Sequence, residues 1–143
     1  MKRFLTYLLL VVLGAAIGYG VFASLIGRPK VAVINVAYVE LDGFTAAEID
    51  KTLDFVRDDK SIRAVVIKLN SPGGTVTASS DIFLNTITVR EKKPVVVLVG
   101  DIAASGGYMW LLGANYVYAN STSLVGNVGA IMYLPGGTAR PDE

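Results

Sequence analysis

The sequence predicts an α/β protein: an N-terminal transmembrane helix, then a domain with a mainly parallel sheet and flanking helices. Three observations carry this reading. Phe4 to Ile26 is an apolar run without a charge. Four later runs, VAVINV, AVVIKL, VVVLVG and YVYA, are short, apolar and rich in β-branched or aromatic residues. Segments with helical spacing separate them. Strands that are apolar throughout, alternating with helices, are the pattern of a parallel sheet covered by helices.

Phe4 to Ile26 holds 23 residues, which at about 1.5 Å per residue exceeds a hydrocarbon core of ~30 Å. Lys2 and Arg3 precede the run, and Arg28 and Lys30 follow it. The small positive bias favours a cytoplasmic N-terminus, with the domain on the far side of the membrane. The competing reading is a cleaved signal peptide, with Val21 and Ala23 before a cut at Ser24. The apolar run continues through that cut and is longer than a usual signal core, so an uncleaved anchor is expected. Gly14 and Gly18 form a G-x-x-x-G pattern, which membrane-helix composition alone explains. The chain thus divides into an anchor over 1–27, a domain over 28–134, and a tail over 135–143 that lacks periodicity.

Within the domain, Val31 to Val36 reads as a buried strand. Thr45 offers an N-cap, with Glu48 three residues on completing a capping box. Ile49, Leu53 and Val56 then recur at helical spacing, while Asp50, Lys51 and Asp54 face away; this helix ends near Asp58–Lys60. Ala64 to Leu69 is a second buried strand, closed by the turn signal Asn70-Ser71-Pro72-Gly73-Gly74. Val76 to Glu91 is expected to be helical, on Val76, Ile82, Phe83 and Ile87. A third strand follows Pro94. A helix from Ser105 or Gly106 to Gly113 and a fourth strand, Tyr116 to Ala119, complete the series.

Composition removes whole classes of chemistry. Thirteen basic and twelve acidic residues leave a net charge of +1, with no basic patch for nucleic acid. Cysteine is absent, which excludes disulfides, thiol catalysis and thiolate zinc sites. Histidine is absent too, so a Ser-His-Asp triad is impossible, no metal site is expected and no cofactor is expected.

Right-handed crossovers place the Ser71–Gly74 and Asp101–Ser105 loops at the carboxyl ends of their strands, where open α/β sheets bind ligands. Ser105, between a strand and a helix, is well placed to attack a carbonyl near unpaired amides. Gly106, Gly73 and Gly74 are candidate amide donors to an oxyanion, because glycine backbone can approach a ligand closely. Taken singly, Ser105 also reads as a helix cap and Ser71-Pro72-Gly73-Gly74 as a tight turn. Tyr108 and Ser71 are candidates for a substrate groove; Tyr108, Trp110 and Leu111 equally suit a core. Asp101 reads as a turn former after Gly100, and Asp58 and Asp59 as solvated helix-end carboxylates. Without histidine, a general base for Ser105 has to be a lysine or a carboxylate. No lysine follows Ser105. Lys2, Lys30, Lys51, Lys60, Lys68, Lys92 and Lys93 all fall away from the predicted sheet edge, so the base stays unassigned. Asn120-Ser121-Thr122 fits the glycosylation pattern, a short motif that carries no weight alone.

Ala64 to Val76, Lys93 to Val97, Asp101 to Tyr108, Ala114 to Asn120 and Val125 to Gly129 together resemble the signal peptide peptidase A family. These are serine peptidases of the ClpP/crotonase-like fold. The resemblance runs from Val31 to Val128, about two thirds of the chain, and the family also carries N-terminal anchors. It implies a membrane-bound Ser/Lys endopeptidase of the bacterial plasma membrane that degrades remnant signal peptides. Ser105 matches the nucleophile, and Gly73 and Gly106 match the oxyanion positions. The family's base is a lysine downstream of the serine, so an incomplete domain, inactive alone, is expected. Family members assemble into rings, which implies a homo-oligomer acting on hydrophobic signal-peptide or membrane-protein segments, beside the lipid bilayer. Two rivals remain: a non-catalytic scaffold or assembly subunit of the same fold, and a crotonase-type acyl-CoA enzyme. The Ala-Ser-Gly-Gly helix start and the anchor speak against the second.

Overall fold

The computed structural model describes residues 2–25 and 29–132. The tail expected over 135–143 and the boundary residues of the anchor lie outside the described residues. The chain runs α1 (Lys2–Leu25), β1 (Lys30–Val36), β2 (Glu40–Leu41), α2 (Gly43–Asp58), β3 (Ile62–Ser71), β4 (Gly73–Gly74), α3 (Val76–Arg90), β5 (Val95–Ala104), α4 (Gly106–Leu111), β6 (Tyr116–Ala119) and β7 (Leu124–Gly126). The 24 residues of α1 span about 36 Å. Arg3–Ala23 is long and apolar enough to cross a membrane, and none of its surface is buried against the domain.

The main sheet is parallel in the order β1-β3-β5-β6, with β7 pairing to the far end of β5. On one face Ile34, Ile67 and Val97 lie in a row, beside Val36, Leu69 and Val99. These side chains are buried beneath α2, α3 and α4, where Leu53, Val56, Ile82, Val89 and Trp110 close the core. The Trp110 indole N–H donates to Thr86 Oγ1 at 2.9 Å, and that hydroxyl donates to the Ile82 carbonyl at 2.8 Å. Both polar groups are thereby satisfied at zero exposure.

The expectation that helices cover the sheet holds for one face only. Val33, Val66, Val96 and Tyr116 form a row on the other face, next to Asn35, Lys68, Leu98 and Tyr118. Val31, Val33, Leu98, Tyr116 and Tyr118 are exposed there. The reason is topological. The strands add in one direction, so right-handed crossovers deposit every helix on the same side.

Three local expectations also change. The N-cap of α2 is Asp42, not Thr45: Asp42 Oδ1 accepts the Thr45 N–H at 2.7 Å. Thr45 and Glu48 therefore form no capping box, and Glu48 pairs with Lys51 at 2.7 Å. Asp50 does not face away; it is half-buried, and Asn85 Nδ2 donates to its Oδ1 at 3.0 Å. Finally, Asp101–Ala104 is not a loop but the end of β5, held by β7 (Ile102 to Leu124, Ala103 to Val125, Ala104 to Gly126) and by Ser71 opposite Ala103. Two extra residues of β5 bulge opposite Asn70, whose side chain fills the gap. Asn70 Oδ1 accepts the Ile102 N–H at 3.1 Å and Nδ2 donates to Asp101 Oδ2 at 3.2 Å. The short strands β2, β4 and β7 were not foreseen, being too brief to show a period.

Candidate active site

Ser105 stands between the last residue of β5 and the first of α4, with φ +50° and ψ −117°. A side chain at positive φ costs on the order of 1–3 kcal/mol, so its surroundings must impose the conformation. They do so through the backbone: Ser105 N–H donates to Gly126 O at 3.0 Å, and Ser105 O accepts the Met109 N–H at 3.0 Å. The hydroxyl makes no capping hydrogen bond. The cap reading of Ser105 is therefore corrected for its side chain, which projects free of the helix it begins.

The Gly73-Gly74 strand meets this turn directly. Gly73 has φ +106°, and a Cβ there would lie 2.7 Å from Ser105 Cβ and 2.8 Å from the Gly106 nitrogen. A Cβ on Gly106 would fall on the Ser79 hydroxyl. Both positions require glycine to let β4, Ser105 and the start of α4 touch. The amides of Gly106, Gly107 and Tyr108 precede the first backbone bond of α4, made by Met109. They are the orphan donors every helix start presents. Gly73 N–H donates to Ser71 Oγ at 3.2 Å, so its amide already has an acceptor.

A cavity of about 730 Å³ opens beside Ser105, lined by Glu40, Gly74, Thr75, Val76, Ser79, Ser105, Gly106, Met109, Val128, Gly129, Ala130 and Ile131. Two groove candidates are absent from it. Tyr108 is half-buried and packs against the core. Ser71 is fully buried; its Oγ donates to Val39 O at 2.6 Å and accepts from Gly73, pinning β4 to the chain before β2. Trp110 and Leu111 are core residues. Sequence reasoning missed Ser79, Glu40 and the wall 128–131. Ser79 gave no signal, since its place depends on how α3 packs beneath Gly106.

None of the lysines among the described residues lines the cavity. Lys93 caps the end of α2, donating to Asp59 O at 2.6 Å and to Val56 O. Lys92 approaches Asp58 at 3.6 Å, and Lys68 lies on the bare face of the sheet. Asp101, exposed, is bound to Asn70, and Asp58 pairs with Arg57 at 3.1 Å. No group of three or more metal-ligating side chains occurs among the described residues. The site as described brings together a serine, glycine-rich backbone and helix-start amides, with Glu40 but no lysine among the described lining residues.

Residues 87–136, which contain Ser105 and α4, match the sequence profile of peptidase family S49. Protease 4 of Haemophilus influenzae is 37% identical over 113 residues, covering 74% of this chain. Protease 4 of Salmonella typhi is 43% identical over 84 residues, or 56% of the chain. Residues 87–136 are thus peptidase family S49 sequence. The chloroplastic serine protease SPPA of Arabidopsis thaliana is 34% identical over 86 residues, 60% of the chain. The chain spans 18%, 14% and 13% of those three relatives' own lengths. Among solved structures, a serine-to-alanine mutant of the 1510-N membrane-bound stomatin-specific protease superposes with TM-score 0.67 at 23% identity. That match covers 81% of this chain and 57% of the other, and establishes the fold. A mutant of ClpP1 from Listeria monocytogenes superposes with TM-score 0.51 at 26% identity, covering 59% of this chain and 46% of that one. The fold is accordingly the ClpP-like α/β fold, with an apolar N-terminal helix added.

Proposed function

We propose that this chain carries the nucleophile-bearing part of a membrane-anchored serine endopeptidase of the Ser/Lys type, acting on hydrophobic signal-peptide or membrane-protein segments. The single observation that carries the reading is Ser105. Its conformation is imposed at positive φ, its hydroxyl is free of the helix cap, and Gly73 is wedged against it. In this reading Ser105 Oγ attacks the scissile carbonyl. The Gly106 amide, at the positive end of α4, stabilises the oxyanion, with Gly73 and Gly74 shaping the opposite wall. Gly73 N–H contributes once it exchanges Ser71 Oγ for the stronger charged acceptor. The serine proton passes to a lysine amine kept neutral by burial; no lysine of this chain lines the cavity, so a partner chain in the oligomer supplies it.

The anchor over 1–27, the peptidase domain over 28–134 and the tail over 135–143 remain the proposed division. The N-terminus is assigned to the cytoplasm and the domain to the far side of the bacterial plasma membrane. Relatives named as proteases, and one named as a putative signal peptide peptidase from Enterococcus faecium, support the reaction class. The Ser105 hydroxyl, free of the helix cap and with no lysine lining its cavity, also favours a second reading, a scaffold subunit of the same fold that does no chemistry.

Fluorophosphonate labelling of the detergent-extracted chain separates the two, with Ser105→Ala as control. Labelling that disappears in the variant is the expected result for an activated serine. A folded chain that takes no label, alone or with a longer S49 protein added, sinks the peptidase reading in favour of the scaffold.

A further inference from the structure

The cavity beside Ser105 has one feature that an all-apolar peptide groove does not need. Its walls are apolar, from Val76, Met109, Val128 and Ile131, and glycine and hydroxyl groups make up most of the rest. The single ionisable side chain among its described lining residues is Glu40. β2 fixes where that carboxylate goes. Leu41 is fully buried, and successive side chains of a strand point to opposite sides, so Glu40 is turned out of the core. Pairing of Glu40 with Gly73 and of Leu41 with Gly74 ties β2 to the glycine strand that touches Ser105. No ion pair forms between Glu40 and a described lysine or arginine, and no hydrogen bond engages its carboxylate within them. Its acceptor capacity is open to a ligand.

We infer that Glu40 makes this cavity select a substrate side chain with an apolar stem and a cationic end, lysine or arginine, next to the bond presented to Ser105. The methylene stem covers Val76, Met109 and Ile131, as long basic side chains do on apolar surfaces, and the charge reaches Glu40. A cavity of about 730 Å³ admits the longest side chains with room to spare. The inference rests on the peptidase reading of the same site for its substrate class, but on Glu40 alone for its selectivity.

The test uses two peptidyl phosphonate probes that are identical except for lysine or norleucine beside the phosphorus. Norleucine keeps the stem and lacks the ammonium. The expected result is Ser105 labelling about threefold to tenfold faster with the lysine probe, the range for a partly exposed charge pair. The ratio falls to about one in Glu40→Gln and shrinks in high salt. A norleucine probe that reacts equally fast or faster with the native chain, or a ratio that Glu40→Gln leaves unchanged, overturns the inference. If Ser105 takes no phosphonate of any kind, the peptidase reading has failed separately. The same comparison is then made by equilibrium binding of the two unreactive peptide amides, followed through methyl NMR shifts of Met109 and Ile131. Tighter lysine-peptide binding that depends on Glu40 supports the selectivity, and equal or absent binding of both peptides refutes it.

Discussion

At the scale of single residues, the site is a place where local preference is overridden. Serine gains nothing intrinsic from φ +50°, whereas glycine adopts it freely. Ser105→Gly should therefore be more stable than Ser105→Ala by about 1 kcal/mol in urea denaturation, since alanine keeps the strain and glycine releases it. Neither variant should take a fluorophosphonate label. Equal stability of the two would mean that the conformation costs nothing, and that the strain has no bearing on the serine. Gly73→Ala tests the facing wall. Its Cβ would sit 2.7 Å from Ser105 Cβ with φ at +106°, so Ser105 or β4 must shift. The chain should lose about 1–3 kcal/mol and its labelling together. Retained labelling at native rate would detach Gly73 from the site. The close approach of Gly73 and Gly106 at Ser105 was legible in the sequence, because glycine pairs after apolar strands mark such contacts. Tyr108 and Ser71 lie outside the cavity, because aromaticity at a helix start and polarity at a strand end do not say which way a side chain points.

Secondary-structure elements show what periodicity reads and what it omits. The four main strands and three domain helices follow from apolar runs and helical spacing, with ends displaced by a few residues. The start of α2 went wrong because two acceptable caps lie three residues apart, and only Asp42 has the extended backbone that aims its carboxylate at the Thr45 amide. That bond holds the Asp42 carboxyl below its ordinary range, chiefly through the Thr45 backbone N–H. A depressed acid contributes stability above its unfolded-state pKa and loses it as pH falls through the folded value. Asn caps as well as Asp but does not titrate. Native chain should therefore be more stable than Asp42→Asn near neutrality, and the difference should shrink in thermal melts as pH falls through and below the ordinary carboxylate range. Asp50 has the opposite sign. Burial raises its carboxyl pKa, so its contribution is lost as pH rises, and the Asn85 hydrogen bond offsets part of that cost. The position of α4 rests on a different contact, the buried indole bond from Trp110 to Thr86. Thr86→Val strands the indole N–H and should cost about 1–3 kcal/mol, whereas Thr86→Ser keeps the hydroxyl and should cost distinctly less. Urea unfolding of both variants checks this; a Thr86→Val loss no larger than that of Thr86→Ser would mean that the indole bond contributes no more than the methyl group that serine lacks.

For the whole molecule, the order β1-β3-β5-β6 governs both the site and the surface. Sequence marked the four longer strands but not the direction in which they add, because adjacency in space leaves no mark on the hydrophobic pattern. One direction of growth puts α2, α3 and α4 on one face, brings β4 and α4 together at the carboxyl edge, and leaves the other face bare. That bare face carries Val33 at 57% and Tyr116 at 62% exposure, in one row with Val66 and Val96. An apolar strip of this kind is unusual for a parallel sheet, whose faces are normally both covered. It should bind an apolar dye such as ANS in detergent-free preparations of residues 29–132. Val33→Lys with Leu98→Glu should cut that binding several-fold. The core should barely notice, since both side chains point away from Leu53, Val56 and Trp110. Denaturation midpoints unchanged within about 0.5 kcal/mol would agree, as for substitutions at other exposed positions. Dye binding that persists in the double variant would place the exposed apolar surface elsewhere, with the cavity beside Ser105 the next candidate, and Val76→Lys would then be the substitution that removes it.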